Sequence, residues 1–337
     1  MLQPGKKFND SAFERIMTTD AFKQDVVYKG ISFWKDVRLR FVQNKGAVVG
    51  IVIILIIALF AFLAPFFSSH TYKSIETEHI NLPPRVPGLE NLGIMDGTAN
   101  GINVYEENGL DDVYYWFGTD NLGRDIWVRV WTGTRVSIYI ALLAVIIDMF
   151  IGMAYGLISG YVGGRTDSIM QRFIEILSGI PNLVIVTLFV MVLNPGIMSI
   201  SLALVITGWI GMSRVVRSQV LKMKELDFIL ASKTLGASTA TLLRVDLLPN
   251  IFGQVIIMSM FSIPNAIFYE SFLAFIGLGL QPPMASLGVL INDGYKSILV
   301  YPHIIVAPVI VLALLMLSFN LVADGLRDAL DPKMKQQ

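Results

Sequence analysis

The chain has 337 residues, of which 54% are hydrophobic and 15% are charged. Soluble domains carry about 25% charged residues, so this composition indicates a membrane protein. The 26 basic and 26 acidic residues cancel to a formal net charge of zero, which gives no overall signal for nucleic acid binding. The sequence contains no cysteine, which excludes disulfides and thiolate catalysis. Its three His residues lack the spacing of a catalytic zinc motif.

Six apolar segments predict an all-α membrane protein with six transmembrane helices. The first, 46–67, has 22 residues without a charge, and a crossing needs about 20. It follows a long polar tail and exceeds the apolar run of a signal peptide, so it is predicted to stay in the membrane. The fourth segment is short and contains glycine, and 285–300 is a candidate re-entrant piece. The remaining predicted spans are 136–157, 174–193, 197–212, 251–275 and 304–322.

The placement of Lys and Arg predicts the orientation of the chain. With the N-terminus inside, 20 of the 26 basic residues fall in the inside segments. This excess follows the positive-inside rule and predicts that both termini are cytoplasmic. The segment 68–125 carries ten acidic and three basic residues, and its Pro and Gly content predicts an irregular cap outside the membrane.

Two segments have the composition of the membrane–water interface. In 32–45, Phe33, Val37 and Phe41 recur every four residues among basic side chains. This pattern suits a helix lying on the inner leaflet, and an ordinary extension of the first span with boundary aromatics stays open as the alternative. Trp127 and Trp131 allow the same two interpretations on the outer side, an interfacial helix or an extension of a span with boundary aromatics.

The segment 214–250 is basic and amphipathic. Asp227 is predicted to cap a helix, Gly236 to supply the left-handed position that ends it, and Ser238 to cap the next helix. Pro249 marks the start of the fifth span. These signals predict two short helices that meet at a glycine and project into the cytoplasm, a shape suited to docking into a groove on a partner.

Residues 228–250 (FILASKTLGASTATLLRVDLLPN) resemble the EAA loop of binding-protein-dependent ABC importer permeases. Ala231, Gly236, Leu248 and Pro249 match the family consensus at its spacing. The three departures are Leu230 for Glu, Ser232 for the second Ala and Asp246 for Ile. They leave the glycine-centred geometry intact.

Three further motifs narrow the resemblance. Residues 117–125 (FGTDNLGRD), 279–283 (GLQPP) and 320–332 (NLVADGLRDALDP) are similar to signatures of the C-type permease subunit of oligopeptide and dipeptide transporters. The resemblance extends over 32–332. The long first external loop is similar to oligopeptide rather than nickel members.

The resemblance implies a type I ABC importer permease fold with a cytoplasmic coupling helix. In this family the coupling helix is seated on an ATPase, and closure of two ATPases rocks the spans between outward-open and inward-open states. The implied partners are a homologous B-type permease, two ABC ATPase subunits that hold ATP and Mg, an extracytoplasmic peptide-binding protein, the peptide and the bilayer. The implied coupling residues are Asp227, Leu230, Ala231, Ser232, Gly236, Ala237, Leu248 and Pro249.

The chain itself is predicted to be a non-catalytic subunit of a bacterial cell membrane that binds no cofactor, metal or nucleic acid. It has no GxxxxGK[ST] phosphate-binding loop. The predicted organisation is an N-terminal tail with an interfacial helix (1–45), a first span (46–67), an extracytoplasmic loop (68–132), a five-helix core (133–325) containing the coupling loop (223–249), and a C-terminal tail (326–337).

Glycine and proline mark features inside the spans. Gly152, Gly156 and Gly160 recur every four residues, as does Gly164, so one helix face is bare and a neighbouring backbone can approach it. Gly164 alternatively serves the turn that follows. Pro181, Pro264 and Pro308 interrupt spans three, five and six, either as pivots of a gating motion or as static bends.

Four polar residues in apolar segments are candidate pore or intramembrane groups, and such groups are expected to face protein or water. Glu175 has a simpler explanation as the partner of Arg172, three residues earlier. An ion- or proton-coupled secondary transporter is the alternative function for buried acids. The four candidates are Asp148, Glu175, Asn265 and Glu270.

The acids of the external motif also allow two interpretations. Asp120 and Asp125 are five residues apart, which is weak support for a cation site. Thr119, Asp120 or Asp125 is instead predicted to cap the helix that starts near Ile126. An intramembrane enzyme lacks a credible set of catalytic residues in this sequence.

Overall fold

The computed structural model describes residues 32–194 and 196–330. The predicted tail before Ser32 and the end of the last motif lie outside the described residues. The helices are α1 (Phe33–Gln43), α2 (Lys45–Leu63), α3 (Val104–Glu107), α4 (Ile126–Val162), α5 (Gly164–Ser178), α6 (Asn182–Leu193), α7 (Ile197–Met223), α8 (Asp227–Thr234), α9 (Thr239–Thr241), α10 (Leu248–Leu273), α11 (Leu287–Lys296) and α12 (His303–Leu330). Short 3-10 turns cover Ala64–Phe67 and Glu90–Leu92, π-helical turns cover Leu242–Leu247 and Ala274–Leu278, and β1 (Thr98–Ala99) pairs antiparallel with β2 (Ile102–Asn103).

Within the described residues, five helical runs are long and apolar enough to cross a membrane. They contain α2, α4, α7, α10 and α12. The all-α membrane class is therefore confirmed. A sixth crossing is formed only if α5 and α6 together count as one span.

The third predicted span, 174–193, is interrupted at Pro181, as predicted, and falls into α5 and α6. The chain bends by 75° between α5 and α6, and Pro181 lies outside α6 as its N-terminal flanking residue. Proline lacks an N–H and disfavours helical geometry in the residue before it, so the helix ends before it. In contrast, α10 and α12 continue through Pro264 and Pro308.

Other helix ends differ from the predicted ones. The fourth span, predicted as short, is the 27-residue helix α7. Helix α4 starts at Ile126, as predicted for the helix after the external motif, and runs for 37 residues, so the last residues of the predicted loop 68–132 belong to the same helix as the predicted span 136–157. The segment 285–300 contains the short helix α11, in agreement with the prediction of a short piece there.

The segment before the first span forms a separate helix. Asn44 ends α1 with extended backbone and caps α2, where its side chain accepts a hydrogen bond from the Ala47 N–H at 3.1 Å. Val37 is buried and α1 packs against α12. Trp127 and Trp131 lie in the first two turns of α4 and are buried, so they belong to an extension of the second span.

Helices α4 and α7 pack along the predicted glycine stripe. A Cβ added at Gly152, Gly156 or Gly160 would lie 2.7, 2.6 or 3.0 Å from a backbone oxygen of α7. The partner positions on α7 advance along the chain in the same direction as the glycines, so the two helices run parallel. Gly164 has a φ of 56° and serves the turn instead.

The segment 68–125, here called the cap, folds around a small core of its own. Leu82, Tyr105 and Tyr115 are buried there. Arg85 lies over the ring of Tyr105 at 5.2 Å and pairs with Glu90 at 2.8 Å. The cap precedes the start of α4, so the parallel α7 ends at the opposite end of the bundle. The coupling loop 223–249 therefore lies away from the cap.

The coupling helix and the polar clusters around it

Helix α8 begins at Asp227. If Asp227 were the capping residue, the helix would begin one residue later. Leu226 occupies the cap position, and no side chain of the described residues caps this helix end. The predicted capping role of Asp227 is therefore wrong. Asp227 is the first residue inside the helix, where its negative charge is favourable beside the helix N-terminus.

The other end of α8 has the predicted glycine stop. Gly236 has a φ of 88°. The Ala237 N–H donates to the Ser232 carbonyl and the Gly236 N–H to the Lys233 carbonyl, both at 3.1 Å. This pair of bonds is the Schellman arrangement, in which glycine is favoured at the left-handed position.

Ser238 caps the next helical turn, as predicted. Its Oγ accepts a hydrogen bond from the Thr241 N–H at 3.2 Å. That turn does not form a separate short helix, however. Thr239–Leu278 is one helical run of 40 residues, with π-helical geometry at Leu242–Leu247. The π-helical turn lies just before Pro249. It shifts which carbonyl groups accept backbone hydrogen bonds, at a position where proline has no N–H to donate.

One side of α8 is anchored in the bundle and the other is exposed. Ile229 is 2% exposed and packs in a cluster with Val220 and Leu247. Leu230 and Leu235 are 48% and 88% exposed. Apolar side chains held outward on a short anchored helix are typical of an interaction surface.

The structure brings the predicted coupling residues together on this element and the start of the helical run after it. Five are exposed: Asp227, Leu230, Ala231, Gly236 and Pro249. Three are partly buried: Ser232, Ala237 and Leu248.

An ion pair that the sequence did not single out connects α5 to α7 near the coupling helix. Arg217 donates from Nε to Asp167 Oδ1 at 2.6 Å and from Nη2 to Oδ2 at 2.5 Å. Ser159 at the end of α4 donates to the same carboxylate at 2.5 Å, and Gln171 donates to Ser159 at 3.0 Å. We call this cluster the joint.

Breaking the joint is expected to destabilise the protein. Because Arg217 binds Asp167 with two charge-assisted hydrogen bonds, Arg217→Met should cost about 1–3 kcal/mol of unfolding free energy. Thermal unfolding of the purified protein in detergent measures this cost. The exposed pair of Arg172 and Glu175 is the control, since Glu175→Gln there should cost about 0.5 kcal/mol or less. Equal losses at the two pairs would contradict this prediction.

Two of the predicted intramembrane polar residues are buried between helices of this chain. Glu270 is fully buried, and its Oε2 accepts a hydrogen bond from Ser137 Oγ at 2.9 Å. Asp148 is 8% exposed and lies against the bare backbone of Gly208. Both carboxylates are therefore turned to the packing between helices and not to an open path.

The other two candidates are exposed. Glu175 pairs with Arg172 at 2.7 Å on the outside of α5, in agreement with the simpler explanation. Asn265 lies on the outer face of α10.

The external motif 117–125 forms a rigid turn over the start of α4. Asp125 caps α4 by accepting from the Trp127 N–H at 2.8 Å, and Ser68 Oγ also donates to it at 2.9 Å. This confirms the capping prediction for Asp125. Burial raises the pKa of the Asp125 carboxyl, and these hydrogen bonds oppose the rise.

Asp120 has partners of a different kind. It pairs with the buried guanidinium groups of Arg124 and Arg129, and both arginines approach Asp293 of α11, at 3.5 and 3.7 Å. Asp120 and Asp125 therefore do not converge on one cation. Asp120 fixes the cap motif onto α4 and α11 instead.

The long apolar helices define a multi-pass membrane protein, and the short, outward-facing helix after α7 is the feature that the permease resemblance predicts. Comparison with known proteins identifies the family. Residues 152–336 match the model for the binding-protein-dependent transport system inner membrane component, and residues 32–84 match the N-terminal transmembrane domain of oligopeptide transport permease C. The chain belongs to this family of ABC importer permease subunits, which confirms the resemblance.

Individual relatives agree with the family models. The oligopeptide transport system permease protein OppC of Bacillus subtilis is 41% identical over 324 residues, 96% of this chain and 97% of that protein. The dipeptide transport system permease protein DppC of Lactococcus lactis is 42% identical over 323 residues, 93% of this chain and 94% of that protein.

A solved structure supports the fold. An inward-facing conformation of the MetNI methionine ABC transporter aligns with a TM-score of 0.51 at 15% identity, covering 60% of this chain and 97% of that chain. At this identity the likeness concerns the fold alone.

Proposed function

We propose that this chain is one of two transmembrane permease subunits of an ABC importer that takes up oligopeptides or dipeptides. The support is the naming of close, full-length relatives as oligopeptide and dipeptide permeases. The chain contributes half of the translocation path, and a homologous B-type permease contributes the other half. It carries out no hydrolysis itself.

The coupling helix α8 docks into a groove on one of two partner ATPases, which bind ATP and Mg. One observation carries this proposal: α8 is anchored by Ile229 and presents Leu230 and Leu235 outward. Because the helical run Thr239–Leu278 begins three residues after Gly236, a displacement of α8 is passed to α10 through this short connection and then along the helical run.

The proposed orientation places the coupling loop in the cytoplasm of a bacterial cell, with both termini on that side. The excess of basic residues in the inside segments supports it. The acidic cap then faces outward and receives a peptide-binding protein.

A secondary transporter driven by ions or protons is the competing function. It would require the buried acids to meet an open path. Asp148 and Glu270 face the packing between helices, which favours the ABC importer.

Disulfide crosslinking tests the proposal. Ser232→Cys in α8 should form a crosslink with cysteines scanned along the ATPase groove, and ATP should change its efficiency. Thr98→Cys in the cap is the control, since it is exposed in β1 and should react only with reagents added outside. Labelling of Ser232→Cys from the outside would overturn both the orientation and the coupling role.

A further inference from the structure

A cavity of about 750 Å³ lies between α1, α7, α10 and α12. Its volume falls within the roughly 300–1,000 Å³ of small-ligand sites. The cavity begins beside the first turn of α10 and follows that helix for about three turns. Its lining includes Gln219, Asn250, Gln254, Met258, Phe261 and Arg327.

The same face of α10 continues beyond the cavity. Asn250, Gln254, Phe261 and Asn265 are separated by 4, 7 and 4 residues, which places them on one side of an α-helix. Asn265 is exposed, although it lies within a span, and its side chain makes no hydrogen bond to any residue that the structure describes. An amide in the hydrocarbon would be costly, so this side of α10 faces water or protein.

The outer face of α12 has a different composition. Val306, Val309, Ile310 and Leu317 are exposed there, and all four are apolar. Side chains of this kind suit direct contact with lipid. The exposed face of α12 is therefore apolar from Val306 to Leu317, and its first exposed amide, Asn320, lies ten residues before the helix ends. The contrast with α10 concerns this apolar stretch.

We propose that this face of α10 and the cavity form the chain's wall of the peptide path, where Gln254 and Asn265 hydrogen-bond to the peptide backbone. This inference rests on the proposed function. Asn and Gln side chains both donate and accept, which matches a backbone that offers N–H and C=O groups. Met258 and Phe261 provide adaptable apolar contact for varied side chains.

The lining of the cavity is almost uncharged, which suits peptides of varied sequence. Arg327 is the one charged residue among the described residues that line the cavity. A wall of neutral amides neither repels nor traps acidic or basic side chains on the way through. Arg327, at the end near the coupling loop, suits the terminal carboxylate that every peptide carries.

Photocrosslinking in the assembled transporter tests the inference. A photoreactive phenylalanine analogue replaces Phe261, and the complex is placed in lipid nanodiscs with ATP and binding protein loaded with a labelled peptide. Phe261 should yield a peptide adduct. The matched control is Phe62 on α2, which is 62% exposed and should yield lipid adducts. Adducts at Phe261 with lipid or with the companion permease alone would overturn the proposal.

A second measurement uses the amides. Gln254→Leu and Asn265→Leu should each lower peptide uptake per ATP hydrolysed about tenfold, the effect of one lost hydrogen bond worth about 1.4 kcal/mol. Thermal stability should stay unchanged, and Leu317→Val should have no effect on uptake. Normal uptake by both variants would overturn the inference and leave the proposed function standing. A wild-type complex that moves no peptide with ATP would refute the proposed function itself.

Discussion

Gly156→Val is expected to destabilise the protein by about 3 kcal/mol, at the upper end of the cost of overpacking. A Cβ at this position would meet the Ser213 carbonyl oxygen at 2.6 Å and Val216 Cβ at 2.7 Å. The first of these contacts is backbone, so a change of rotamer does not relieve it. Helix α4 would have to move away from α7, its most extensively packed partner among the described helices.

Gly211→Val on α7 is the matched control. Among the described residues, no atom outside the neighbouring backbone of α7 and the two adjacent residues lies within 4 Å of an added Cβ at Gly211. The substitution exchanges the same two residue types in a spanning helix. Fluorescence-detected size exclusion after heating would measure the midpoint of unfolding for each variant. Equal midpoints for Gly156→Val and Gly211→Val would show that the close approach of α4 and α7 is not required.

The spans could be predicted because membrane helices are specified locally. A charge-free run such as 46–67 needs about 20 apolar residues whatever surrounds it. The glycine stripe Gly152, Gly156 and Gly160 was also readable, because a four-residue repeat defines one helix face. The sequence does not show which helix packs on the stripe, because that depends on the arrangement of α7 beside α4 in the folded chain.

Helix ends and breaks were predictable only in part. The bend at Pro181 was read as an interruption within one span, because apolar residues on both sides gave a single window. The start of α4 near Ile126 could be predicted from the capping residues before it, because a cap is a local signal. Whether Trp127 and Trp131 belong to a helix on the membrane surface or to an extension of the span depends on packing, which the sequence does not show.

The candidate site shows the same difference between local features and features that depend on the fold. Gly236 and Ser238 act through bonds to residues at most four positions away, so their roles were predictable from the sequence. Arg217 and Asp167 are 50 residues apart, and only the fold brings them together. The available signal was the scarcity of charge, because an Asp that lies five residues after α4 in such a chain is expected to have a charged or polar partner.

Gly236→Val is expected to reduce peptide uptake about tenfold while membrane insertion and complex assembly stay intact. Among the described residues nothing lies within 4 Å of an added Cβ, so the cost comes from the backbone. A φ of 88° is left-handed, and this geometry costs an ordinary L-residue about 1–2 kcal/mol and is worse for a β-branched one. The end of α8 should therefore rearrange and displace Leu235.

Gly236→Asn separates the effect of backbone strain from the effect of an added side chain. Asparagine tolerates left-handed geometry and also adds a side chain, so it should retain most of the uptake. ATP hydrolysis and uptake are measured together in proteoliposomes, because uncoupling lowers uptake per ATP, whereas failed assembly lowers both. Normal uptake by Gly236→Val would mean that the left-handed stop is dispensable. Equal losses for Val and Asn would assign the effect to the added side chain at the proposed docking surface and not to the backbone.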